Sequence, residues 1–316
     1  MIVLAAPGQG SQTPGFLTPW IDDPESGDEA RALLAELSEA SGVDLVEHGT
    51  VSDAETIRDT AIAQPLIVAA GLLTARALFA RVDRSLVGAV AGHSVGELTA
   101  AALAGVISEA EAVSLVTVRA RGMAAAAAAT PTGMSAVLGG DEAELLAKLD
   151  ELGLEPANFN GGGQIVVAGA LDALTSLAEE PPAKSRVLAL QVAGAFHTRY
   201  MVSAVEPLRE AAAAVQVSDP ATPIYSNHDG SRITDGREYL DLLVNQVASP
   251  VRWDKTMESF AAAGITGQIE LAPAGALTGL AKRGLRGLTD HNVASVAIKT
   301  PDDLAAAVAL LQEATA

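Results

Sequence analysis

The stretch Gly92-His93-Ser94-Val95-Gly96-Glu97 decides how this chain of 316 residues is read. A short apolar run, Leu86 to Ala91, leads into it, and a segment of helical character, Leu98 to Leu103, leads out. Strand, then Gly-x-Ser-x-Gly, then helix is the setting of a nucleophile elbow. Gly92 and Gly96 flank Ser94, which leaves the chain free to turn sharply with its neighbours packed close. The turn holds the serine hydroxyl at its tip. The helix beginning there aims backbone N–H groups at the same point, which suits a developing negative charge.

Toward the N-terminus, Ile2 to Ala6 is a short apolar run without helical period, which predicts a buried strand. It ends in a glycine-rich loop, Pro7-Gly8-Gln9-Gly10-Ser11-Gln12. This strand and the one over 86–91 are expected side by side in a parallel sheet, their C-terminal loops facing one crevice. Open α/β sheets place ligands there. Between them, Asp22 to Asp59 carries twelve Asp or Glu against Arg31 and Arg58. That predicts solvated surface helices, with Leu33, Leu34 and Leu37 as the inward face. Thr60 to Val82 and Glu109 to Ala129 read as long helices.

After Thr130-Pro131-Thr132-Gly133 the pattern changes. A strand over Met134 to Leu138, a helix over Asp141 to Leu152 and a strand over Gln164 to Ala168 are predicted. A helix over Leu171 to Glu179 and a strand over Arg186 to Val192 follow. This βαβαβ-like set suggests an inserted α+β subdomain over 130–195, of ferredoxin-like topology. Beyond Phe196-His197 longer helices return, with strands at Thr222 to Tyr225 and Gly267 to Leu271.

The composition, 49% hydrophobic and 19% charged, is that of a globular chain with a sizeable core. Only 3% is aromatic, so Ala, Val, Leu and Ile must fill that core. A net charge of −19 argues against nucleic acid or an anionic membrane as partner. The absence of cysteine excludes disulfides, thiolate metal sites and a cysteine nucleophile, and no metal site is expected. The N-terminus lacks the basic region of a secretion signal. The longest apolar stretch, Leu66 to Ala80, is interrupted by Arg76 and reads as a buried helix rather than a membrane span. A cytoplasmic location is expected.

A serine nucleophile needs a base, usually histidine. Of the five histidines, His48 sits in the acidic helical region, and His228 and His291 sit in polar turns. His93, adjacent to Ser94, is expected to point away from it. His197, in Gly194-Ala195-Phe196-His197-Thr198, stands between a strand and a helix, where a side chain is presented at a sheet edge. No acid is an obvious third member; Asp229 and Asp290 are candidates, and a backbone carbonyl is the alternative. Arg119 and Arg121 cannot share a helix face, so one of them can turn inward, where its planar fork suits a carboxylate.

Taken together, Gly8-Gln9-Gly10-Ser11-Gln12, Gly92 to Glu97, Arg119 with Arg121-Gly122-Met123, and Ala195-Phe196-His197 resemble malonyl-CoA:acyl carrier protein transacylases in order and spacing. Asn158-Phe159-Asn160, Asn245-Gln246 before Ser249-Pro250-Val251, and Gly275 to Leu280 extend the resemblance over nearly the whole chain. It implies an α/β fold: an α/β-hydrolase-like large domain with a parallel sheet, from 1–129 and 196–316, and the ferredoxin-like subdomain over 130–195. It implies Ser94 as nucleophile, His197 as base, and the N–H groups of Gln9 and Val95 as oxyanion hole. Arg119 would hold the malonyl carboxylate. Met123, Asn160, Phe196 and Gln246 would complete the substrate site, the Gln246 carbonyl positioning His197.

No permanently bound cofactor is implied; malonyl-CoA, a coenzyme A thioester, is the substrate and acyl carrier protein the partner. Phe196 and Val95 match the malonyl-selective pattern. Gly194, where many polyketide-type domains carry histidine, departs from it. Because acyl carrier proteins of this pathway are acidic, a local basic patch must overcome the overall charge, and Lys282 and Arg283 are expected to dock the carrier. Three readings compete with fatty acid synthesis: a serine esterase or thioesterase on the same elbow, a polyketide-pathway acyltransferase, and a silent carrier-binding domain.

Overall fold

The computed structural model describes residues 1–313. In chain order its strands are β1 (Ile2–Ala6), β2 (Ala89–Gly92), β3 (Thr132–Gly139), β4 (Glu155–Gly161), β5 (Gln164–Ala170) and β6 (Ser185–Ala189). After them come β7 (Ile224–Tyr225), β8 (Arg232–Ile233), β9 (Val251–Arg252), β10 (Gly267–Glu270) and β11 (Ala294–Ala297). They form two sheets, ordered β11-β10-β1-β2-β7-β8 and β6-β3-β5-β4-β9. The first is parallel except for the β7–β8 pair, and β1 lies beside β2 with Ala6 opposite Gly92.

The apolar run of β1 is buried on both faces, the pattern of an inner parallel strand. Side chains alternate across it. Ile2, Leu4 and Ala6 join one core with Leu66, Val68 and Leu98 from helices Thr60–Phe79 and Gly96–Ala104. Val3 and Ala5 join another with Trp253, Met257, Phe260, Leu277 and Leu280 from helices Trp253–Ala262 and Ala276–Gly284. Helix Thr60–Phe79 is buried continuously from Ala63 to Ala75. By length and composition it and helix Glu109–Ala129 are each sufficient to cross a membrane, yet both pack largely within the protein. Leu33, Leu34 and Leu37 are the buried stripe of helix Gly27–Ser41, as the spacing predicts.

The second sheet contains a strand that the sequence pattern hides. Polar Asn158 and Asn160, with Pro156, mask β4, which pairs with β5 through bulges. The order over 130–195 is therefore strand, helix, strand, strand, helix, strand rather than βαβαβ. Met134, Ala136, Val166 and Ala168 face the main core, while Val137, Ile165 and Val167 pack under helices Glu142–Leu152 and Leu171–Glu179. β9, from beyond 195, adds to β4 in parallel and ties the two sheets together.

Several bounds shift for local reasons. Asp83 caps a 3-10 turn over Arg84–Leu86, so β2 starts later than Leu86. The helix expected to reach Val82 stops at Phe79, and the strand expected to reach Val192 stops at Ala189. The chain from Leu190 to Phe196 then runs on without strand pairing to His197.

Candidate active site

β2 delivers Ser94 at the mouth of the parallel sheet. The turn is tight enough that a Cβ on Gly92 would lie 1.9 Å from the carbonyl carbon of Gly96, and one on Gly96 would lie 2.2 Å from the carbonyl oxygen of Ala6. Only glycine fits either place. Ser94 has φ 53°, and His197 has φ 62°. Both lie in the left-handed region that non-glycine residues rarely adopt and that clusters at functional sites.

Ser94 Oγ and His197 Nε2 are 2.7 Å apart. His197 Nδ1 is 2.9 Å from the backbone oxygen of Gln246. A carbonyl only accepts, so Nδ1 carries the proton and Nε2 offers its lone pair to the serine hydroxyl. The third position is thus filled by a carbonyl. Asp229 accepts from the Ser231 N–H and Asp290 pairs with His291, so neither reaches His197. Burial, with the Arg119 charge beside it, pushes His197 down to about 3 and keeps the imidazole neutral.

Arg119 is 1% exposed, while Arg121 on the same helix is exposed, as their spacing requires. Its Nη1 donates to Gln64 Oε1 at 2.7 Å, and its Nη2 donates to Ser94 Oγ at 3.1 Å and to Gln246 Oε1 at 3.0 Å. Among the described residues, no carboxylate bonds this guanidinium and its Nε has no acceptor. Burial lowers it to about 10, against the favourable charge of Glu97. The Gln246 amide bridges the two, its Nε2 donating to Glu97 Oε2. Glu97 is 1% exposed and also accepts from the Asn227 N–H at 2.7 Å. Burial pushes its carboxyl up to about 8, against that N–H and the Arg119 charge, which favour the anion.

Ser94, His197 and Gln64 open on a cavity of about 420 Å³ between the two sheets, while Arg119 and Gln246 lie behind Ser94 and are not part of its lining. Gln9, Ser94, Val95, Met123, Asn160, Phe196 and His197 line it, and Arg283 stands at its rim. Among the described residues, no internal acceptor takes the N–H of Gln9 or of Val95. Lys282 is exposed beside Arg283 and does not line the cavity. His93 points away from Ser94, its Nε2 2.9 Å from Asn160 Oδ1 and its ring edge-on to Trp253. His48 pairs with Ser52, so neither is a base for Ser94. A second cavity of about 360 Å³ shares Gln9, Gly10, Leu190 and Val192 with the first and extends it past Arg58.

Gln64, Glu97 as a partner, and Asn227 went unread in the sequence. Gln64 had a signal: it is the one polar side chain between Thr60 and Thr74 in its helix, and its Nε2 also reaches the Met123 sulfur at 3.5 Å. Asn227 had none beyond its turn-forming neighbours. Among the described residues, no three His, Asp or Glu side chains are grouped to hold a metal ion.

The acyl transferase domain family matches residues 4–315. The malonyl CoA-acyl carrier protein transacylase of Mycobacterium tuberculosis is 50% identical over 307 residues, covering 96% of this chain and 98% of that one. A crystal structure of MCAT from the same organism superposes with a TM-score of 0.91 at 49% identity, covering 98% of this chain and 99% of the other. A malonyl-transacylase solved in complex with a type II PKS acyl-carrier protein superposes with a TM-score of 0.88 at 28% identity, covering 98% and 99%. With its elbow serine, buried arginine and nearly full-length similarity, this chain belongs to the acyl transferase family of malonyl CoA-acyl carrier protein transacylases.

Proposed function

We propose that the protein moves a malonyl group from malonyl-CoA to the pantetheine thiol of acyl carrier protein through a malonyl ester on Ser94. The observation that carries this reading is the contact between Arg119 and Ser94: a buried cation, with no carboxylate bonded to it among the described residues, touches the reactive oxygen. Such a fork is matched to an acid arriving with the substrate. Gln64 and Gln246 hold the fork until then.

His197 takes the Ser94 proton as Oγ attacks the thioester carbonyl, and the Gln246 carbonyl steadies the imidazolium that forms. The N–H groups of Gln9 and Val95 receive the oxyanion, each such donor contributing about 3 kcal/mol. The C–S bond breaks, His197 returns its proton to the leaving coenzyme A thiolate, and the ester remains. The carrier's thiol then gives its proton to His197, attacks the ester carbonyl, and leaves with the malonyl group as Ser94 Oγ regains the proton. This is ping-pong transfer. An acetyl group leaves Arg119 without its acid, which disfavours it.

The fold we read here is an α/β-hydrolase-like large domain, 1–129 and 196–316, with a ferredoxin-like subdomain over 130–195. Support comes from the strand order β6-β3-β5-β4, that is fourth, first, third, second in that segment. Lys282 and Arg283 form the carrier-docking patch; among the described residues neither is paired with a carboxylate. Coenzyme A enters as substrate, with no permanent cofactor. A net charge of −19 suits neither nucleic acid nor an anionic membrane, and the work is placed in the cytoplasm, in fatty acid synthesis. A side chain at Gly194 would meet Ala127 Cβ at 2.6 Å, so the histidine of many polyketide-type domains does not fit here.

Intact-protein mass spectrometry after brief incubation with malonyl-CoA tests this, with acetyl-CoA and Ser94→Ala as controls. A malonyl adduct absent from both controls is expected. Release of free malonate without an adduct would move the assignment to a hydrolase.

A further inference from the structure

We propose that Asn227 is a positioning residue for the nucleophile: its side chain staples Gly92 to Ser94 across the elbow and holds the serine backbone in its left-handed conformation. The inference rests on Ser94 being the nucleophile. Ser94 is a non-glycine residue at φ 53°, a conformation that persists only where the surroundings impose it. Asn227 supplies that imposition with one planar amide. Its Oδ1 accepts from the Ser94 N–H at 2.8 Å, and its Nδ2 donates to the Gly92 carbonyl at 2.7 Å. The orientation is forced, because a flipped amide would set donor against donor at Ser94 and acceptor against acceptor at Gly92.

Asn227 is itself held on both sides. It is 0% exposed, its N–H donates to Glu97 Oε1 at 2.7 Å, and its carbonyl accepts from the Arg252 N–H at 2.8 Å. Gln246 Nε2 lies 3.2 Å from the same Oδ1. Asn227 does not line the cavity, so it acts on the reaction through Ser94. One consequence is immediate: the Ser94 N–H is already committed, which leaves the oxyanion to Val95 and Gln9.

The test compares wild type, Asn227→Ala and Asn227→Asp in two reactions of Ser94: malonylation by malonyl-CoA and phosphonylation by a fluorophosphonate, with Ser94→Ala as blank. For Asn227→Ala both rates are expected to fall by about 10²-fold, the scale of a reactive group displaced by an ångström, at an unchanged half-saturating malonyl-CoA concentration. Asn227→Asp carries the finer readout and keeps the test alive if the alanine variant does not fold. As a neutral acid, aspartic acid reproduces the amide, with C=O toward the Ser94 N–H and O–H toward Gly92. As an anion it sets an oxygen against the Gly92 carbonyl.

Position 227 is fully buried, which raises an acid placed there; Glu97, on the helix after the elbow, faces it with a carboxyl itself pushed up to about 8 and so largely protonated below that. Arg119 lies one amide further, beyond Gln246, and His197 faces the far side of Ser94. The ratio of Asn227→Asp to wild-type rate is therefore expected to rise by about tenfold as pH falls from about 8 to about 5. An alanine variant within about threefold of wild type, or an aspartate variant whose ratio ignores pH, overturns the proposal. The phosphonylation rates decide it even if malonyl-CoA leaves wild type unmodified, an outcome that sinks only the transfer reading.

Discussion

The guanidinium of Arg119 donates to the hydroxyl of Ser94 over 3.1 Å, so a fully buried cation touches the reactive oxygen. Gln64 and Gln246 hold the fork from its other donors. Replacing Arg119 by Ala is expected to slow malonylation of Ser94 by about 10²-fold, since charge-assisted hydrogen bonds contribute about 1.5–3 kcal/mol each. Acetylation should suffer far less, and Arg119→Lys should fall between. Adduct time courses with both thioesters measure the ratio; equal losses would remove Arg119 from acid recognition.

His197 is held near a pKa of about 3, so it stays neutral through the physiological range. Ser94 acylation should therefore be flat from about pH 5 to about pH 8, without the break near 6.5 of an unperturbed histidine. Rapid-quench rates across that range check it, and His197→Ala should cost about 10²–10⁴-fold throughout. The unfolded chain binds this proton more readily, so the contribution of His197 to stability is lost as pH falls from 6.5 toward about 3.

Gly92→Ala places a Cβ 1.9 Å from the Gly96 carbonyl carbon and should destabilise by more than about 3 kcal/mol. Gly153→Ala is the contrast: its φ is +67°, whereas Gly92 lies outside the left-handed region, and among the described residues nothing lies within 4 Å of a Cβ there, so backbone strain alone should cost about 1 kcal/mol. Chemical denaturation of the two variants separates collision from backbone strain.

Lys282 is exposed and off the cavity, whereas Arg283 stands at its rim. Lys282→Glu should raise the apparent KM for carrier protein and spare acylation by malonyl-CoA. Arg283→Glu should slow both half-reactions. Loss of acylation in the Lys282 variant would show that the patch does not act by docking.

The elbow was legible because its requirements are short-range. Two glycines and a serine within five positions, between a strand and a helix, leave few other conformations, and the unbroken apolar run Ile2–Ala6 marks a strand buried on both faces. That Arg119 and Arg121 take different faces followed from helical spacing; that Arg119 is the buried one is seen only in the structure. β4 was hidden because its partner strand and bulges, rather than its own polar residues, make it a strand.

By itself the sequence determined the parallel core strands, the turn that exposes Ser94, and that Arg119 and Arg121 take different helix faces, all consequences of local sterics and periodicity. Only the tertiary structure decided what surrounds them. Ser94 and Asn227 bond across 133 residues of chain, Ser94 and His197 across 103, and Gln246 and Glu97 across 149. No periodicity links such pairs; they meet because the sheet brings separate loops to one edge, where each buried polar group must find a partner.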